Sequence, residues 1–272
     1  MNYFVEGLQG SGKSTLVQKL SEMNPGYTAI REGEYSLVEL SWCAYVDADQ
    51  YHRVLEQYPD LRSQIEEKTY AEGDKKIICY TKIVTENRSF YKNLEKYEIY
   101  NNRVPYGTFQ SIVLGRYQKW DSDRMIFECS LFQNIVEDMI LFRQAEDEEI
   151  LSFYRLIRKA LDGKEYRIVY LKAADIRGNL EAIRKERSDE QGHEIWFPMM
   201  MGFFNDCPYA KSHGLTGETD LIHHFIHRQE LELRICKEIF PDRSVILASK
   251  NYSEKEICNH LCRDYASCAV IG

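Results

Sequence analysis

The sequence predicts an α/β fold built on a parallel sheet, and two observations support this class. Short apolar segments rich in β-formers alternate along the chain with helical patterns, and a glycine-rich loop joins the first such segment to the first helix. Strands that alternate with helices are typical of a parallel sheet, because each crossover connection returns the chain to the same end of the sheet. We expect one domain over residues 1–272.

The five segments predicted to be buried strands are short, apolar and bounded by polar residues. They cover residues 2–6, 27–31, 125–129, 167–171 and 244–248. Roughly ninety residues separate the second strand from the third, far more than a crossover helix needs. The insertion at residues 32–123 is predicted to contain helices near 51–70, 74–96 and 108–119. We expect it to wall off a second pocket that faces the glycine-rich loop. A last short helix is predicted near 253–265.

The glycine-rich loop reads Gly-Leu-Gln-Gly-Ser-Gly-Lys-Ser over residues 7–14, a complete G-x-x-x-x-G-K-[ST] phosphate-binding loop. Glycines allow successive backbone N–H groups to turn toward a polyphosphate, and the N-terminus of the helix predicted at 14–23 favours negative charge at the same place. Lys13 is expected to reach the β- and γ-phosphates, and the Ser14 hydroxyl to bind Mg²⁺. The residues predicted to bind ATP are Gly7, Gln9, Gly10, Ser11, Gly12, Lys13, Ser14 and Thr15.

Charge and composition exclude several classes of partner. The chain has 35 basic and 43 acidic residues and a net charge of −8, which argues against binding to duplex nucleic acid. The apolar runs are too short to cross a bilayer, and the N-terminus lacks the pattern of a signal peptide. The eight cysteines form no C-x-x-C pair and are interpreted as reduced thiols of a cytoplasmic protein.

Beyond the loop, four stretches carry a resemblance to a known family. They are residues 30–35, 108–117, 126–134 and 176–187. With them the chain resembles the deoxynucleoside kinase and thymidylate kinase group of P-loop kinases from its first strand to about residue 248. The resemblance implies a three-layer α/β/α fold with strand order 2-3-1-4-5 and an arginine-rich lid within residues 176–200. It also implies ATP and Mg²⁺ as cofactors and a small-molecule acceptor, and it allows a homodimer.

The stretch Thr-Phe-Gln-Ser-Ile-Val-Leu-Gly-Arg-Tyr at 108–117 is similar to the helix that reads the nucleoside base in deoxynucleoside kinases. The resemblance places Gln110 and Arg116 against the base, and an amide offers a base edge both a donor and an acceptor. The plainer interpretation is a glutamine and an arginine on the solvent face of an amphipathic helix.

The third strand ends in Glu-Cys-Ser, where the family has Glu-Arg-Ser. The resemblance implies that Glu128 holds Mg²⁺ through its waters. Cys129 replaces the family's arginine, and Asn134 aligns near the acid that reads the base. These two departures leave acceptors other than nucleosides open, including an antibiotic-like molecule with a free hydroxyl.

After the second strand, deoxynucleoside kinases carry a glutamate that acts as general base, followed by a tryptophan. Glu32 and Glu34 are both candidates here, and Trp42 is the later tryptophan that would line the acceptor site. We prefer Glu32 as the base, because it directly follows the strand and its position is therefore better fixed. Glu34 is kept among the acceptor-binding candidates.

The lid is expected to bring arginines onto the transferring phosphoryl group, since guanidinium groups stabilise its spread charge. Arg184 and Arg187 are the predicted catalytic arginines, with Arg177 on nearly the same helical face as Arg184. The alternative is a solvated basic helix balanced by Glu181 and Glu186.

Two functions remain open from the sequence. The first is an ATP-dependent kinase that transfers the γ-phosphate to a hydroxyl of a nucleoside-like or nucleotide-like acceptor. The second is a nucleotide switch that hydrolyses ATP slowly and acts through a protein partner bound to the insertion. The arginine-rich segment and the glutamate that ends the third strand favour the kinase, because switch proteins usually end that strand in aspartate.

Overall fold

Eight strands divide between two sheets in the part of the chain that the structure, a computed structural model, describes: residues 1–261. In chain order they are β1 (Asn2–Gly7), β2 (Thr28–Ile30), β3 (Ala44–Val46), β4 (Thr69–Glu72), β5 (Lys75–Ile78), β6 (Met125–Glu128), β7 (Tyr166–Lys172) and β8 (Ser244–Ala248).

The larger sheet is five-stranded and parallel, with the order β2-β6-β1-β7-β8. Each of its strands lies within one residue of its predicted bounds. Taken alone, these five strands are neighbours in the order 2-3-1-4-5 that the resemblance implied. Strands β3, β5 and β4 form a separate antiparallel sheet that the sequence analysis did not predict, so the strand numbers shift after β2.

The helices lie between and around the strands. They are α1 (Lys13–Met23), α2 (Ala48–Gln57), α3 (Arg62–Glu67), α4 (Arg88–Leu94), α5 (Tyr106–Lys119), α6 (Gln133–Glu137), α7 (Asp147–Ala160), α8 (Ile176–Glu186), α9 (Trp196–Asp206), α10 (Pro208–His213), α11 (Glu218–Arg234) and α12 (Glu254–Leu261). A π-helical turn follows α6 at Asp138–Phe142, and another follows α11 at Ile235–Ile239. Residues 262–265 of the predicted last helix lie outside the described residues.

Alternating residues of β1 show how the parallel sheet is covered on both faces. Tyr3 and Val5 pack in the cluster that contains the apolar side of α1, whereas Phe4 belongs to the larger cluster with α5, α7 and α11. Phe4 is fully buried, and its ring stacks on Phe127 with centroids 5.1 Å apart. Burying a side chain of this size stabilises the fold by about 1.5–3 kcal/mol. The chain therefore has the three layers expected of an α/β/α fold.

The insertion differs most from its prediction. The helix expected at 108–119 is confirmed as α5, but residues 69–78 form the hairpin β4–β5, although helix was predicted up to residue 70 and again from residue 74. Gly73 and Asp74 make the two-residue turn, and Gly73 has a φ of +58°, which glycine adopts without steric cost. Helix α4 is also shorter than the predicted 74–96. The predicted helices are therefore wrong at this hairpin, where Gly73 and Asp74 form a turn.

No helix within residues 1–261 combines the length and the apolar character that a membrane span requires.

Candidate active site

The glycine-rich loop makes its turn between β1 and α1 in a conformation that requires glycine at two positions. Gly7 has a φ of +140°, and a Cβ added there would lie 2.7 Å from the carbonyl oxygen of Leu171. Gly12 precedes α1 with a φ of +89°. A side chain at either position would be strained, so the strand–loop–helix geometry depends on these residues.

Lys13 begins α1 and is nearly buried under the loop. Its Nζ donates hydrogen bonds to the carbonyl oxygens of Gly7, at 2.9 Å, and Leu8, at 2.8 Å. The ammonium group is therefore held on the inner side of the loop, where phosphate oxygens bind in loops of this type.

Ser14 and Glu128 meet at the base of the cleft beside the loop. The Ser14 hydroxyl donates to Oε1 of Glu128 at 2.5 Å, and Arg31 Nη1 lies 3.4 Å from Oε2 of the same carboxylate. A hydroxyl and a carboxylate are hard oxygen ligands, the kind that Mg²⁺ binds in proteins. The pair fits the expected metal-binding role of both residues.

This cleft, which we call the phosphate cleft after the loop beside it, has a volume of about 550 Å³. It carries cations from several parts of the chain. Lys13 and Lys19 come from α1, Arg187 follows α8, and Lys250 follows β8. The Ser249 hydroxyl donates to the Ser11 carbonyl at 2.8 Å, which fixes the segment after β8 against the loop. Four positive side chains around a phosphate loop favour a polyanionic ligand.

Glu32 lines the same cleft at its border with a second cavity. Its Oε1 accepts hydrogen bonds from Trp42 Nε1 and from Gln133 Nε2, both at 3.0 Å. Glu34 instead folds back on its own turn, where Oε2 accepts from the Arg31 backbone N–H at 2.8 Å. Of the two candidate bases, only Glu32 lines the cleft within the described residues.

The second cavity has a volume of about 280 Å³ and adjoins the cleft, since both are lined by Gln9, Trp42, Gln133, Trp196 and Met200. Its apolar walls also include Tyr100, Met199 and Phe203. The insertion contributes residues 41, 42, 98, 100 and 101 from loops rather than from helices α2–α5, and α9 supplies another wall. The expected second pocket is therefore present, with different walls.

Two residues at the border between cleft and cavity have strained backbones. Trp42 and Cys129 adopt the left-handed conformation, with φ of 59° and 57°. Residues other than glycine rarely do so, and such strain concentrates at functional sites. Burial raises the pKa of the Cys129 thiol well above its ordinary value, so this cysteine is not a thiolate nucleophile.

Of the acceptor-binding candidates, Trp42 and Asn134 line the cavity, whereas Glu34, Gln110 and Arg116 do not. Asn134 Nδ2 donates to the Cys129 carbonyl oxygen at 3.2 Å. Gln110 lies in a separate surface groove with Tyr106 and Phe153.

Arg116 is buried in another part of the insertion, where its guanidinium donates to Glu72 and to the Ser36 carbonyl oxygen. The hairpin β4–β5 supplies that carboxylate and draws Arg116 away from the cavity. The expected base-reading pair is therefore not assembled in this structure.

The two predicted lid arginines have different surroundings. Arg184 forms a bidentate ion pair with Glu194 and a further hydrogen bond with Glu218, each at 3.0 Å. Its guanidinium lies 3.9 Å from the centre of the Phe197 ring. Arg187 lines the phosphate cleft and lies 5.2 Å from the Trp196 ring centre. Arg184 thus ties α8 to Glu194 and Glu218, and Arg187 is the one of the two arginines that lines the cleft.

Arg177 lies apart from both lid arginines, in a groove near Asp175 at the start of α8.

A buried network behind the loop was missed by the sequence analysis. Arg228 in α11 is fully buried and donates to Glu137 Oε1 at 2.7 Å, to Gln9 Oε1 at 3.0 Å and to Glu232 Oε1 at 2.9 Å. Burial by itself would raise the pKa of Glu137. The Arg228 charge, the His224 imidazole 3.9 Å from Oε1 and the Gln9 hydrogen bond outweigh burial and lower that pKa to about 2. Glu137 is therefore ionised at neutral pH.

Glu6, one residue before the loop, fixes the segment that leads into α6. Its carboxyl group accepts from the backbone N–H groups of Leu131, at 2.7 Å, and Phe132, at 3.2 Å. Burial raises the pKa of Glu6 to about 8, although these hydrogen bonds oppose the shift. A polar residue inside an otherwise apolar strand was the sequence signal for this role.

Comparisons with known proteins leave the family of this chain unassigned. No protein-family model matches it, and no curated protein does. Among solved structures it is similar to deoxyadenosine kinase from M. mycoides with bound dATP, with 12% sequence identity over 94% of this chain and 95% of that chain and a TM-score of 0.39. A likeness at this level does not establish a shared function.

Proposed function

We propose that this protein is an ATP-dependent kinase that transfers a phosphoryl group to a hydroxyl of a small molecule. The small molecule binds in the second cavity, which we call the aromatic cavity after Trp42, Tyr100 and Phe203 in its lining. The observation that carries the proposal is the position of Glu32. This carboxylate lines the phosphate cleft and is held by Trp42 and Gln133, two residues that line both the cleft and the cavity.

In the proposed reaction each group has a distinct part. Lys13 and Arg187 bind the transferring phosphoryl group and balance the charge on its oxygens. Glu32 accepts the proton of the acceptor hydroxyl as the oxygen attacks phosphorus and the bond to the ADP leaving group breaks. Ser14 and Glu128 would hold Mg²⁺, which neutralises charge on the β- and γ-phosphates.

The acceptor is held by the cavity rather than by α5. Gln110 and Arg116 provided the support for a nucleoside from sequence, and both lie outside the cavity. Trp42, Tyr100 and Phe203 offer apolar area, while Asn134 offers an amide for orientation. The support is therefore for a small hydroxyl compound with an apolar or aromatic part.

The test is phosphoryl transfer from γ-labelled ATP with Mg²⁺ to a panel of hydroxyl compounds, including the common nucleosides and aromatic alcohols. Labelled product with at least one acceptor would support the kinase. Steady ATP hydrolysis, unchanged by every acceptor and increased by a protein partner, would contradict it and favour the nucleotide switch. A reaction mixture without acceptor measures the hydrolysis background.

A further inference from the structure

The aromatic cavity differs in charge from the phosphate cleft next to it. Its acidic lining residues are Glu98, Glu137 and Asp138, and within residues 1–261 no lysine or arginine lines it. Asp138 is neutralised by its ion pair with Arg143 at 2.6 Å. Glu98 is nearly buried and accepts a hydrogen bond from the Tyr80 hydroxyl at 2.5 Å.

Glu137 is the acid most open to a ligand in this cavity. Its side chain is 14% exposed, against 1% for Asp138. Oε1 of Glu137 receives the Arg228 and Gln9 hydrogen bonds. Among the described residues, Oε2 accepts only a long hydrogen bond of 3.5 Å from Gln9 Nε2. Oε1 is thus occupied by the Arg228 and Gln9 hydrogen bonds, whereas Oε2 can accept a further hydrogen bond from a ligand.

The position of Glu137 is fixed from several sides. Arg228 is fully buried, and Gln9 belongs to the phosphate loop itself. Glu137 is also the last residue of α6, directly before the π-helical turn at Asp138–Phe142. Turns of this kind are frequent at functional sites, because they change the direction in which neighbouring side chains point.

We infer that the cavity selects an acceptor that carries a protonated amine, held by Glu137 Oε2 and by the surrounding aromatic rings. The inference rests on the proposed function, because it treats the cavity as the acceptor site. An ammonium group donates to a carboxylate in a charge-assisted hydrogen bond, and the faces of Trp42, Tyr100 and Trp196 attract a cation.

The same charges disfavour anionic acceptors. Arg228 carries one positive charge between two carboxylates, Glu137 and Glu232, so this buried group is not fully neutralised. A phosphate or carboxylate in the cavity would face Glu137 without a lysine or arginine on the cavity wall. An acceptor whose negative charge would lie inside the cavity is therefore disfavoured, whereas the cationic cleft next to it suits polyphosphate.

Three small probes with one ring and different charges test the inference: 2-phenylethylamine, 2-phenylethanol and phenylacetate. Two of the three tryptophans line the cavity, so quenching of tryptophan fluorescence reports binding. We expect the amine to bind at least about tenfold more tightly than the alcohol, and phenylacetate to bind more weakly than either.

The variant Glu137→Gln should reduce the difference between amine and alcohol to about twofold or less, while alcohol binding is unchanged. Glu148→Gln is the matched control, because it removes the same charge from a side chain that is 71% exposed. It should keep the preference of the wild-type protein. If Glu137→Gln does not fold, the affinities of the wild-type protein for the three probes test the inference on their own.

Phenylacetate binding as tightly as the amine would overturn the inference, and so would an amine preference that survives in Glu137→Gln. Failure of all three probes to bind would also overturn it, since the cavity would then not accept ligands. None of these readings requires ATP. A protein that shows the charge preference but no phosphoryl transfer would contradict the proposed function and leave the binding preference in place.

Discussion

The phosphate cleft and the aromatic cavity lie side by side, yet they are built in different ways. Six residues between 9 and 15 form one wall of the cleft, and their conformation follows from glycines and a helix start. The cavity is assembled from five distant parts of the chain, at residue 9 and around residues 41, 100, 134 and 200. The cleft carries four cations beside three glutamates, whereas the cavity carries three acids and, within residues 1–261, no lysine or arginine.

Under the proposed function, this contrast lets one site bind two ligands of different chemistry. The cleft concentrates positive charge and backbone N–H groups at a helix N-terminus, which suits a polyphosphate. The cavity offers aromatic area and the partly exposed carboxylate of Glu137, and the proposal is that these bind a smaller compound without negative charge. Glu32 lies where the two meet and is hydrogen-bonded to walls that they share.

Lys13→Met should have the largest effect on the cleft. We expect the rate of phosphoryl transfer to fall by about a thousandfold, because the charge at the β- and γ-phosphates is lost. Single-turnover transfer at saturating ATP measures this, with circular dichroism to verify folding. A loss of less than about tenfold would show that Lys13 keeps its bonds to the loop carbonyls during transfer.

Glu137→Gln tests the cavity side through stability. The folded pKa of Glu137 is about 2, below its ordinary 4.5, so ionisation stabilises the fold above pH 4.5. This contribution is lost as pH falls from 4.5 to about 2. We expect the variant to lower the free energy of unfolding by about 3 kcal/mol at pH 7 and by less at pH 3.

Urea denaturation at the two pH values measures this difference. Glu148→Gln, at an exposed position, should cost less than about 1 kcal/mol at either pH. An equal loss at pH 7 and pH 3 for Glu137→Gln would mean that Arg228 does not hold this carboxylate ionised.

Substitutions of the two predicted lid arginines should change different properties, the rate of transfer for Arg187 and the stability for Arg184. Arg187→Ala removes a cation from the cleft and should slow transfer by about a hundredfold with little change in melting temperature. Arg184→Ala removes the bonds to Glu194 and Glu218 and should lower stability by about 1 kcal/mol, with a smaller loss of rate. Reversed effects on rate would indicate that the lid rearranges when ATP binds.

Gln110→Ala should have the smallest effect. Because Gln110 lies outside the cavity, we expect KM for the acceptor to change by less than about twofold. Asn134→Ala, on the cavity wall, should raise that KM by about tenfold. Steady-state kinetics with any acceptor from the panel measures both KM values. Equal changes in KM for Gln110→Ala and Asn134→Ala would place α5 at the acceptor and contradict the proposed cavity.

The sequence was sufficient where local rules decide the structure. Five apolar segments predicted the parallel strands within one residue, and the glycine spacing predicted the loop between β1 and α1. The hairpin β4–β5 was missed, because helices were predicted on both sides of Gly73, whereas Gly73 and Asp74 form the turn between two strands.

The cavity could not be derived in the same way. Arg116 had a helical position compatible with the acceptor site, but a carboxylate 44 residues away fixes it elsewhere. Glu137 becomes a candidate only because α11 brings Arg228 behind it, 91 residues later in the chain. Such long-range pairings follow from tertiary packing, and no local pattern indicates them.

The most direct test of a shared site is to compare Glu32→Gln with Glu34→Gln in single-turnover transfer, with the affinity for ATP measured in parallel. We expect Glu32→Gln to reduce the rate by about a hundredfold or more while ATP still binds, because the base between cleft and cavity is lost. Glu34→Gln should change the rate far less, since Glu34 bonds only within its own turn among the described residues. Equal rates for Glu32→Gln and the wild-type protein would contradict the central role of Glu32.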